Sequence, residues 1–277
     1  MAETRFFGTD GIRAEFGTFP LVPDFVLKLG LAAGDVLRQG RPGGEIVVVG
    51  RDTRRSGSIL QSALTSGLLA TGVSVLDVGV ITTPGVAYLV RRLGAVAGVV
   101  ISASHNPVKE NGIKFFGADG FKLPESVELD IERRLDADYR RAYSHESGRS
   151  IDGHGMHEFY IEDLVSEHPD LRLDGLKLVM DCANGAASYL APECFSRLGA
   201  AVTVINASPT GLNINDHAGS EFVRRQPEML ARLAQQYGAN FGLAFDGDAD
   251  RVIFVDEHGE IVDGDHMIAI LADYFEK

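Results

Sequence analysis

The amino-acid sequence predicts an α/β protein of two consecutive three-layer α/β/α domains with mostly parallel mixed sheets, followed by the truncated start of a third domain. Three observations predict this architecture. Short apolar runs alternate with stretches of helical spacing, which is the pattern of parallel strands joined by crossover helices. A polar, glycine-containing segment at 144–155 interrupts the alternation, which then begins again. With 277 residues, of which 45% are hydrophobic and 23% charged, the chain is long enough for two cores.

The first half of the chain contains three helix–strand pairs and one further helix. The pairs are, in chain order, Val22–Leu37 with Glu45–Val49, Ser58–Ala70 with Val73–Val78, and Pro84–Leu93 with Val96–Ile101. Charged residues dominate Glu125–Tyr143, which we expect to be helical, and Ser144–Gly155 is the best candidate for a linker. The first domain is therefore predicted over residues 1–150.

The second half repeats the alternation. Its predicted elements are the strand Leu176–Met180, the helix Ala191–Leu198, the strand Val202–Asn206, the helix Glu228–Tyr237 and the strands Phe241–Phe245 and Val252–Val255. Gly199 and Gly238 follow the two helices directly, where glycine commonly ends a helix. We expect the second domain over residues 151–255 and the start of a third, with one helix, over residues 256–277.

Composition excludes several classes of function. The formal net charge of −13 argues against a nucleic-acid surface, which requires clustered positive charge. We expect no membrane partner, since no run has the length of a membrane span and the start lacks the form of a secretory signal. Two cysteines are too few for a disulfide framework, so we expect a cytoplasmic protein. A small anionic substrate remains compatible if local cations overcome the general field.

Two loops carry the main chemical signal. The segment Ile101–Pro107 reads Ile-Ser-Ala-Ser-His-Asn-Pro, and Asp246–Arg251 reads Asp-Gly-Asp-Ala-Asp-Arg. Each follows a predicted strand, and in open α/β sheets sites form beyond the carboxyl ends of strands. The Ser104 hydroxyl could carry a phosphoryl group, and three carboxylates at alternate positions could hold a divalent cation. Together they form the two halves of a phosphoryl-transfer site.

Each loop also has other interpretations. Ser104 could simply belong to a turn before Asn-Pro, with His105 solvated. The nearby Lys114 favours a site, because a phosphoryl acceptor needs a group that takes and returns a proton, and His105 or Lys114 could do so. For the aspartates, an EF-hand loop is disfavoured because Arg251 stands where that loop needs glycine. An aspartyl-phosphate nucleophile remains open but weaker.

Two further turns offer positive charge. The segment Gly50–Gly57 is a basic turn that enters a helix, and it could be a solvated helix start, a phosphate-attracting turn or a brace for the serine loop. It contributes Arg51 as a candidate phosphate ligand. The glycine-rich turn Phe7–Arg13 contributes Arg13, which could contact an anion.

Taken together, these motifs resemble those of the α-D-phosphohexomutases over essentially the whole chain. The resemblance is carried by Phe7–Arg13, Gly50–Arg54, Ile101–Pro107, Asn111–Phe116 and Asp246–Arg251. The bacterial phosphoglucosamine mutase branch is favoured by the serine loop and by three more motifs, namely Val80–Val86, Asp181–Ala186 and Gly211–Asn215.

The resemblance implies roles for particular residues. Ser104 matches the serine that is phosphorylated in the working enzyme, and Asp246, Asp248 and Asp250 match ligands of Mg²⁺, to which the phosphoserine adds an oxygen. The implied reaction converts glucosamine 6-phosphate to glucosamine 1-phosphate. Phosphoserine donates its phosphoryl group, a 1,6-bisphosphate intermediate turns around, and the other phosphate returns to Ser104.

The remaining site residues implied by the resemblance carry positive charge or move a proton. Lys114 and His105 match residues near the transferred phosphoryl group, and Lys114 is the better candidate for proton transfer. Arg251 and Arg13 match positively charged positions that line the site.

Three substitutions depart from the family pattern. Ala249 and Ala14 stand where the branch usually has glycine, which matters at Ala249 if the backbone there needs a positive φ. The segment Glu221–Gln226 replaces a short threonine-histidine stretch, which leaves the contacts of that loop open.

The chain also lacks motifs of the family's third and fourth domains, which recognise the sugar hydroxyls and the non-transferring phosphate. We therefore expect metal binding with poor turnover by this chain alone, or alternatively a non-catalytic metal-binding fragment that associates with a partner. Exposed apolar surface at Val252–Val255 and Ile261–Leu271 would favour association of the chain with itself.

Overall fold

The structure, a computed structural model, describes residues 4–39, 43–137 and 141–276. Its strands are β1 (Ile12–Glu15), β2 (Ile46–Arg51), β3 (Ser74–Val80), β4 (Ala97–Ile101), β5 (Glu110–Gly117), β6 (Ser150–Asp152), β7 (Lys177–Asp181), β8 (Ala201–Ile205), β9 (Phe241–Phe245), β10 (Val252–Val255) and β11 (Ile261–Val262). Its helices are α1 (Pro23–Arg38), α2 (Arg55–Ala70), α3 (Thr83–Leu93), α4 (Glu125–Leu135), α5 (Met156–Ser166), α6 (Ala187–Arg197), α7 (Ser220–Arg225), α8 (Pro227–Tyr237) and α9 (Gly264–Phe275).

The first sheet has six strands in the order β1-β5-β4-β2-β3-β6. Strands β2, β3, β4 and β6 run parallel, whereas β5 is antiparallel to both β4 and β1. Side chains of β2 alternate between two cores, because successive residues of a strand face opposite sides. Val47 and Val49 pack with α1, α2 and α4, whereas Val48 packs with α3 and α5 on the other face. Helices therefore cover both faces of this sheet.

The second sheet has five strands in the order β11-β10-β9-β7-β8. Strand β7 is parallel to β8 and β9, and β10 is antiparallel to β9 and β11. Val179 of β7 packs with α7 and α8, whereas its neighbours Leu178 and Met180 pack on the opposite face, where α6 lies. Both sheets are thus mixed, with helices on both faces, and the predicted α/β class with two three-layer units is confirmed.

Some predicted elements were wrong in extent. The helix predicted over Glu125–Tyr143 ends at Leu135. Residues 138–140 of that range lie outside the described residues, and Ala142 is not helical and donates its backbone N–H to Ala70. Part of the predicted linker, Ser150–Asp152, forms the edge strand β6 and pairs with β3. Ser150 and Asp152 are polar and exposed, and Ile151 is the one apolar, half-buried residue, so this strand is too short to show an alternating apolar pattern and is paired to β3 through its backbone.

Strand β5 and helix α5 have no counterpart among the predicted elements. Strand β5 contains the Asn111–Lys114 motif, and its glycine and lysine hide the strand signal. Tyr160 and Ile161 of α5 are buried in the same apolar cluster as Val48 of β2 and Leu190 of α6. An apolar core therefore continues from the first sheet to the helices that precede and follow β7.

Apolar side chains are exposed at the end of the chain. Helix α9 lies wholly within the described residues and none of its side chains is buried; Ile268, Tyr274 and Phe275 are 67%, 72% and 79% exposed. The expectation of exposed apolar surface is therefore confirmed for this helix. It was wrong for Val255, which is fully buried in the core beneath α8 because its strand pairs with β9. Among the described residues, no helix is both long and apolar enough to cross a bilayer.

Candidate active site

The serine loop after β4 meets the aspartate loop after β9. Ser104 is 1% exposed, and its hydroxyl donates a hydrogen bond to Oδ2 of Asp246 at 2.5 Å. The backbone of Ser104 has a φ of 51°, a left-handed conformation that costs an L-residue about 1–2 kcal/mol. Ser102 offsets part of this cost, because its Oγ accepts the backbone N–H of Ser104 at 2.9 Å and donates to Asp52 at 2.7 Å. The serine is thus held in place on both its backbone and its side chain.

Arg54 holds the carbonyl groups of the serine loop. Its guanidinium is fully buried, forms an ion pair with Asp52 at 2.9 Å, and donates to the carbonyl oxygens of Ser104 at 3.0 Å, Asn106 at 2.8 Å and Pro107 at 2.6 Å. Burial raises the pKa of Asp52, and the positive charge of Arg54 opposes that rise. Of the three interpretations of the basic turn, the structure therefore supports the brace for the serine loop.

A second group that holds this loop comes from the segment between β8 and α7. Asn215 donates through its Nδ2 to the carbonyl oxygens of Ser104 at 2.8 Å and Asn106 at 3.1 Å. The aspartate loop is held in turn by the Asp181–Ala186 segment, since Ala186 donates its N–H to Gly247. A Cβ at Gly185 would lie 2.3 Å from the Gly247 carbonyl oxygen, so this approach requires glycine.

The three aspartates form a compact carboxylate cluster. One carboxylate oxygen from each of Asp246, Asp248 and Asp250 lies within 4.8 Å of the others. Burial, followed by the negative charges of Asp246 and Asp250, raises the pKa of Asp248 to about 7, and burial followed by Asp250 also raises that of Asp246. Within the described part of the chain, the buried Oδ1 of Asp248 has no hydrogen-bond partner. A divalent cation would satisfy this oxygen and neutralise the cluster, so these residues fit a metal site.

Asp248 is fixed by the first residue of α3. The hydroxyl of Thr83 donates to Oδ2 of Asp248 at 2.6 Å, and the backbone N–H of Thr83 donates to the Asp248 carbonyl oxygen at 2.9 Å. The next residue, Ala249, has a φ of 56°, so the alanine at this usual glycine position occupies the left-handed region. Ala14, the other such alanine, lies in β1 opposite Asn111 and needs no unusual backbone.

Arg251 brings positive charge to the serine hydroxyl. Its Nη2 donates to Ser104 Oγ at 2.6 Å and contacts Nδ1 of His105, and it lies 3.3 Å from Oδ2 of Asp246. Its Nε lies 3.5 Å from Asp250. Burial, together with the charge of Arg251, lowers the pKa of His105, which keeps its imidazole neutral at pH 7. The serine hydroxyl therefore lies between a carboxylate acceptor and a guanidinium donor.

The segment that departs from the family pattern forms helix α7 and contributes to the site. Glu221 forms an ion pair with Arg224 at 2.9 Å, and its Oε1 lies 3.7 Å from Nη1 of Arg251. The Arg224 side chain is the main reason why the pKa of Glu221 is lowered. The segment Glu221–Gln226 therefore places the carboxylate of Glu221 beside the guanidinium of Arg251.

Three predicted site residues form no hydrogen bond with this cluster, although the positive charge of Arg13 helps to lower the pKa of His105. The Lys114 ammonium lies 5.5 Å from the centre of the Phe116 ring, and Nη2 of Arg13 lies 3.6 Å from Oδ2 of Asp10. Arg51 donates to Gln61 at 3.0 Å and lines a separate cavity of about 390 Å³. Across the described ranges, no hydrogen bond or ion pair joins these three side chains to Ser104 or to the aspartates. Ser104, His105, Arg251 and the three aspartates, in contrast, lie together.

Several supporting residues were not among the predicted site residues. They are Asp52, Arg54, Thr83, Ser102 and Asn215. Each falls within a motif already recognised in the sequence, but the motif alone does not indicate which side chain contacts the serine loop. The basic turn indicates a functional arginine, but the sequence does not show that Arg54, rather than Arg51, contacts the serine loop. The contacts of Asp52, Arg54 and Ser102 form within the first half of the chain. Those of Thr83 and Asn215 join the two halves.

Comparison with known proteins agrees with the geometry. The family description "Phosphoglucomutase/phosphomannomutase, alpha/beta/alpha domain I" matches residues 4–142, and that of alpha/beta/alpha domain II matches residues 158–259. Phosphoglucosamine mutase from Aeromonas salmonicida is 49% identical over 269 residues, which cover 97% of this chain and 59% of that protein. The enzyme of the same name from Acinetobacter baylyi is 49% identical over 276 residues, which cover 98% of this chain and 61% of that protein.

A solved structure shows the same fold. The crystal structure of a phosphoglucomutase/phosphomannomutase family protein from Burkholderia thailandensis superposes with a TM-score of 0.84 at 29% identity, covering 99% of this chain and 59% of that one. The chain thus spans about three fifths of the length of the relatives it matches. With both domain descriptions matched and the serine and aspartate loops in contact, the chain belongs to the phosphoglucomutase/phosphomannomutase family of phosphohexomutases.

Proposed function

We propose that this chain carries the phosphoryl-transfer site of a mutase that interconverts glucosamine 6-phosphate and glucosamine 1-phosphate. Transfer would proceed through a phosphoserine at Ser104 and a 1,6-bisphosphate intermediate. One observation carries the proposal: the Ser104 hydroxyl contacts both Asp246 and Arg251 in a buried site. The choice of glucosamine follows the names of relatives that are 49% identical to this chain.

Different residues would stabilise charge and move the proton during phosphoryl transfer. When a phosphoryl group leaves the serine, the bond between its phosphorus and Ser104 Oγ breaks as a bond to the sugar hydroxyl oxygen forms. Arg251 donates to Oγ and would stabilise the negative charge that develops there. The proton of the sugar hydroxyl must move to a nearby base. Lys114 is our candidate by resemblance, and the neutral His105 beside Ser104 is the alternative.

We also propose that Asp246, Asp248 and Asp250 hold Mg²⁺, with an oxygen on phosphorylated Ser104 as a further ligand. The buried, unpartnered Oδ1 of Asp248 supports this assignment. A bound Mg²⁺ would neutralise charge on the transferring phosphoryl group. Arg54 and Asn215, which both donate to the carbonyl oxygen of Ser104, would hold the serine loop in place against the aspartates.

Labelling tests the proposal. The chain is incubated with radiolabelled glucosamine 1,6-bisphosphate, with and without Mg²⁺, and compared with Ser104→Ala. We expect an alkali-labile label that requires both Mg²⁺ and Ser104. A hydroxylamine-labile label that survives Ser104→Ala would instead place the nucleophile on an aspartate. The absence of label from wild-type chain that binds Mg²⁺ would contradict transfer by this chain and favour the second candidate.

The second candidate is a non-catalytic, metal-binding protein that associates with a second copy of itself. The exposed apolar side chains of α9 favour it. Light scattering after gel filtration would show a concentration-dependent dimer, which Ile268→Asp should abolish. A monomer at all concentrations would contradict this candidate, and labelling of Ser104 would show that the chain is more than a scaffold.

A further inference from the structure

We infer that Thr83 is a positioning residue of the metal site, which selects the oxygen of Asp248 that faces the ion. The inference rests on the proposed metal site and goes beyond it, because Thr83 lies in the helical layer of the first sheet and is itself no ligand. Two hydrogen bonds join it to Asp248, one through its hydroxyl at 2.6 Å and one through its backbone N–H at 2.9 Å.

The hydroxyl bond leaves one oxygen of the Asp248 carboxylate free, whereas the N–H bond is made to the backbone carbonyl of Asp248. The hydroxyl of Thr83 occupies Oδ2, whereas Oδ1 is buried without a partner among the described residues. Turning the carboxylate plane away from this orientation would break a hydrogen bond inside a buried site. Thr83 itself is 5% exposed, so water cannot readily replace it. Asp248 is therefore held ready to offer Oδ1 as a single ligand atom.

The local sequence explains why Thr83 is available for this contact. Helix α3 begins at the second of two adjacent threonines, and the first, Thr82, is the N-cap whose hydroxyl accepts the N–H of Gly85 at 3.1 Å. The N–H of Thr83 has no acceptor within the helix, as for any residue of a first turn. The backbone carbonyl oxygen of Asp248 accepts this N–H instead. Asp248 therefore lies at the N-terminus of α3, where the helix dipole favours negative charge. Thr82 thus fixes the helix and Thr83 fixes the aspartate.

Metal affinity tests the inference. Binding of Mn²⁺ alone is measured by titration calorimetry on the full chain for wild type, Thr83→Val, Thr83→Ser and Thr82→Val. Removing a group that orients a ligand typically weakens metal binding by about 10-fold to 100-fold, and we expect this for Thr83→Val. Thr83→Ser retains the hydroxyl and should restore affinity to within about threefold of wild type, since only a methyl group is lost.

Thr82→Val is the matched control, because it makes the same change one residue earlier. It should lower the melting temperature through loss of the N-cap while leaving Mn²⁺ affinity unchanged. Should wild type fail to bind Mn²⁺, the metal site itself would be refuted. Unchanged affinity in a folded Thr83→Val would refute the role of Thr83 alone. If Thr83→Val does not fold, weak binding by Thr83→Ser would overturn the inference.

Discussion

Ser104 and Asp246 lie 142 positions apart in the chain, yet the serine hydroxyl donates to the aspartate at 2.5 Å. The contact joins the loop after β4 of the first sheet to the loop after β9 of the second. It makes the site depend on both sheets at once. Residues that hold the loops should therefore differ, when mutated, from residues that act on charge within the site.

Asp248→Asn should stabilise the metal-free protein and abolish stabilisation by metal. The change removes one of three neighbouring negative charges from a buried site, while the amide oxygen can still accept from Thr83. We expect the free energy of unfolding in EDTA to rise by about 1–3 kcal/mol, because a neutral amide is not repelled by the charges of Asp246 and Asp250. Urea denaturation with EDTA and with Mg²⁺ measures both effects. A variant still stabilised by Mg²⁺ would contradict the assignment of Asp248 as a ligand.

Arg54→Ala should destabilise the protein severely. Its removal leaves Asp52 buried without its cation and frees three carbonyl oxygens of the serine loop. Loss of one partner from a buried ion pair costs about 3–5 kcal/mol. Arg55→Ala is the control, since Arg55 is the exposed neighbour and its loss should change stability by less than about 0.5 kcal/mol. Equal losses in the two variants, measured by urea denaturation, would contradict the brace.

Ala249→Gly should stabilise the protein. The φ of 56° is unfavourable for alanine but accessible to glycine, whose greater freedom in the unfolded chain cancels part of the gain. We expect a net increase in the free energy of unfolding of about 0.5–1 kcal/mol. Ala63→Gly, inside α2, should lose about 1 kcal/mol under the same conditions. A loss at both positions would show that the left-handed backbone at Ala249 carries no strain.

Glu221→Gln should strengthen binding of inorganic phosphate at the site. The carboxylate of Glu221 lies 3.7 Å from Arg251 and neutralises part of its charge. Because both side chains are partly exposed, we expect a two- to fivefold gain in affinity, about 0.5–1 kcal/mol. Glu228→Gln makes the same change at an exposed position of α8 and serves as the control. Equal gains in both variants would assign the effect to net charge alone.

The thiol of Cys182 should make stability fall at alkaline pH. Burial raises its pKa to about 12, so the folded state keeps its proton where the unfolded thiol, with a pKa of about 8.5, has lost it. The contribution of Cys182 to stability is then fully present below about pH 8.5 and decreases as the pH rises toward 12. Relative to Cys182→Ala, wild type should lose about 1.5–2 kcal/mol between pH 8 and 10. Parallel pH profiles would show that this thiol is accessible to solvent.

The continuous apolar runs allowed most strands of the two sheets to be predicted, because strands buried on both faces leave a clear signal. Strand β6 could not be predicted in this way, because it has only three residues, of which Ile151 alone is apolar, and its backbone pairs with β3. Helix α7 was missed for a related reason: it has six residues, too few for a periodic pattern, and its Glu221 is defined by contact with Arg251.

The residues of the site also divide into those that the sequence indicates and those that it does not. Ser104 and the aspartates could be found because chemically distinctive residues cluster in short segments. The roles of Arg54 and Asn215 could not be found, because both reach backbone carbonyl groups that carry no sequence signature. For Lys114, the sequence suggests a contact that is absent from the described residues. Its motif suggests a place beside the serine, whereas its ammonium lies over the ring of Phe116, and its part in proton transfer stays a prediction.

The partners of Ser104 fall into two groups, one before it in the chain and one far after it. Arg54 and Ser102 lie before the serine, whereas Asn215, Asp246 and Arg251 lie more than a hundred residues after it. A nascent chain that has completed β5 already contains the groups that hold the serine loop in its left-handed conformation. The bonds that Arg54 and Ser102 make to the serine loop therefore need no residue of the second sheet, whereas the carboxylate and guanidinium that act on its hydroxyl come only with that sheet.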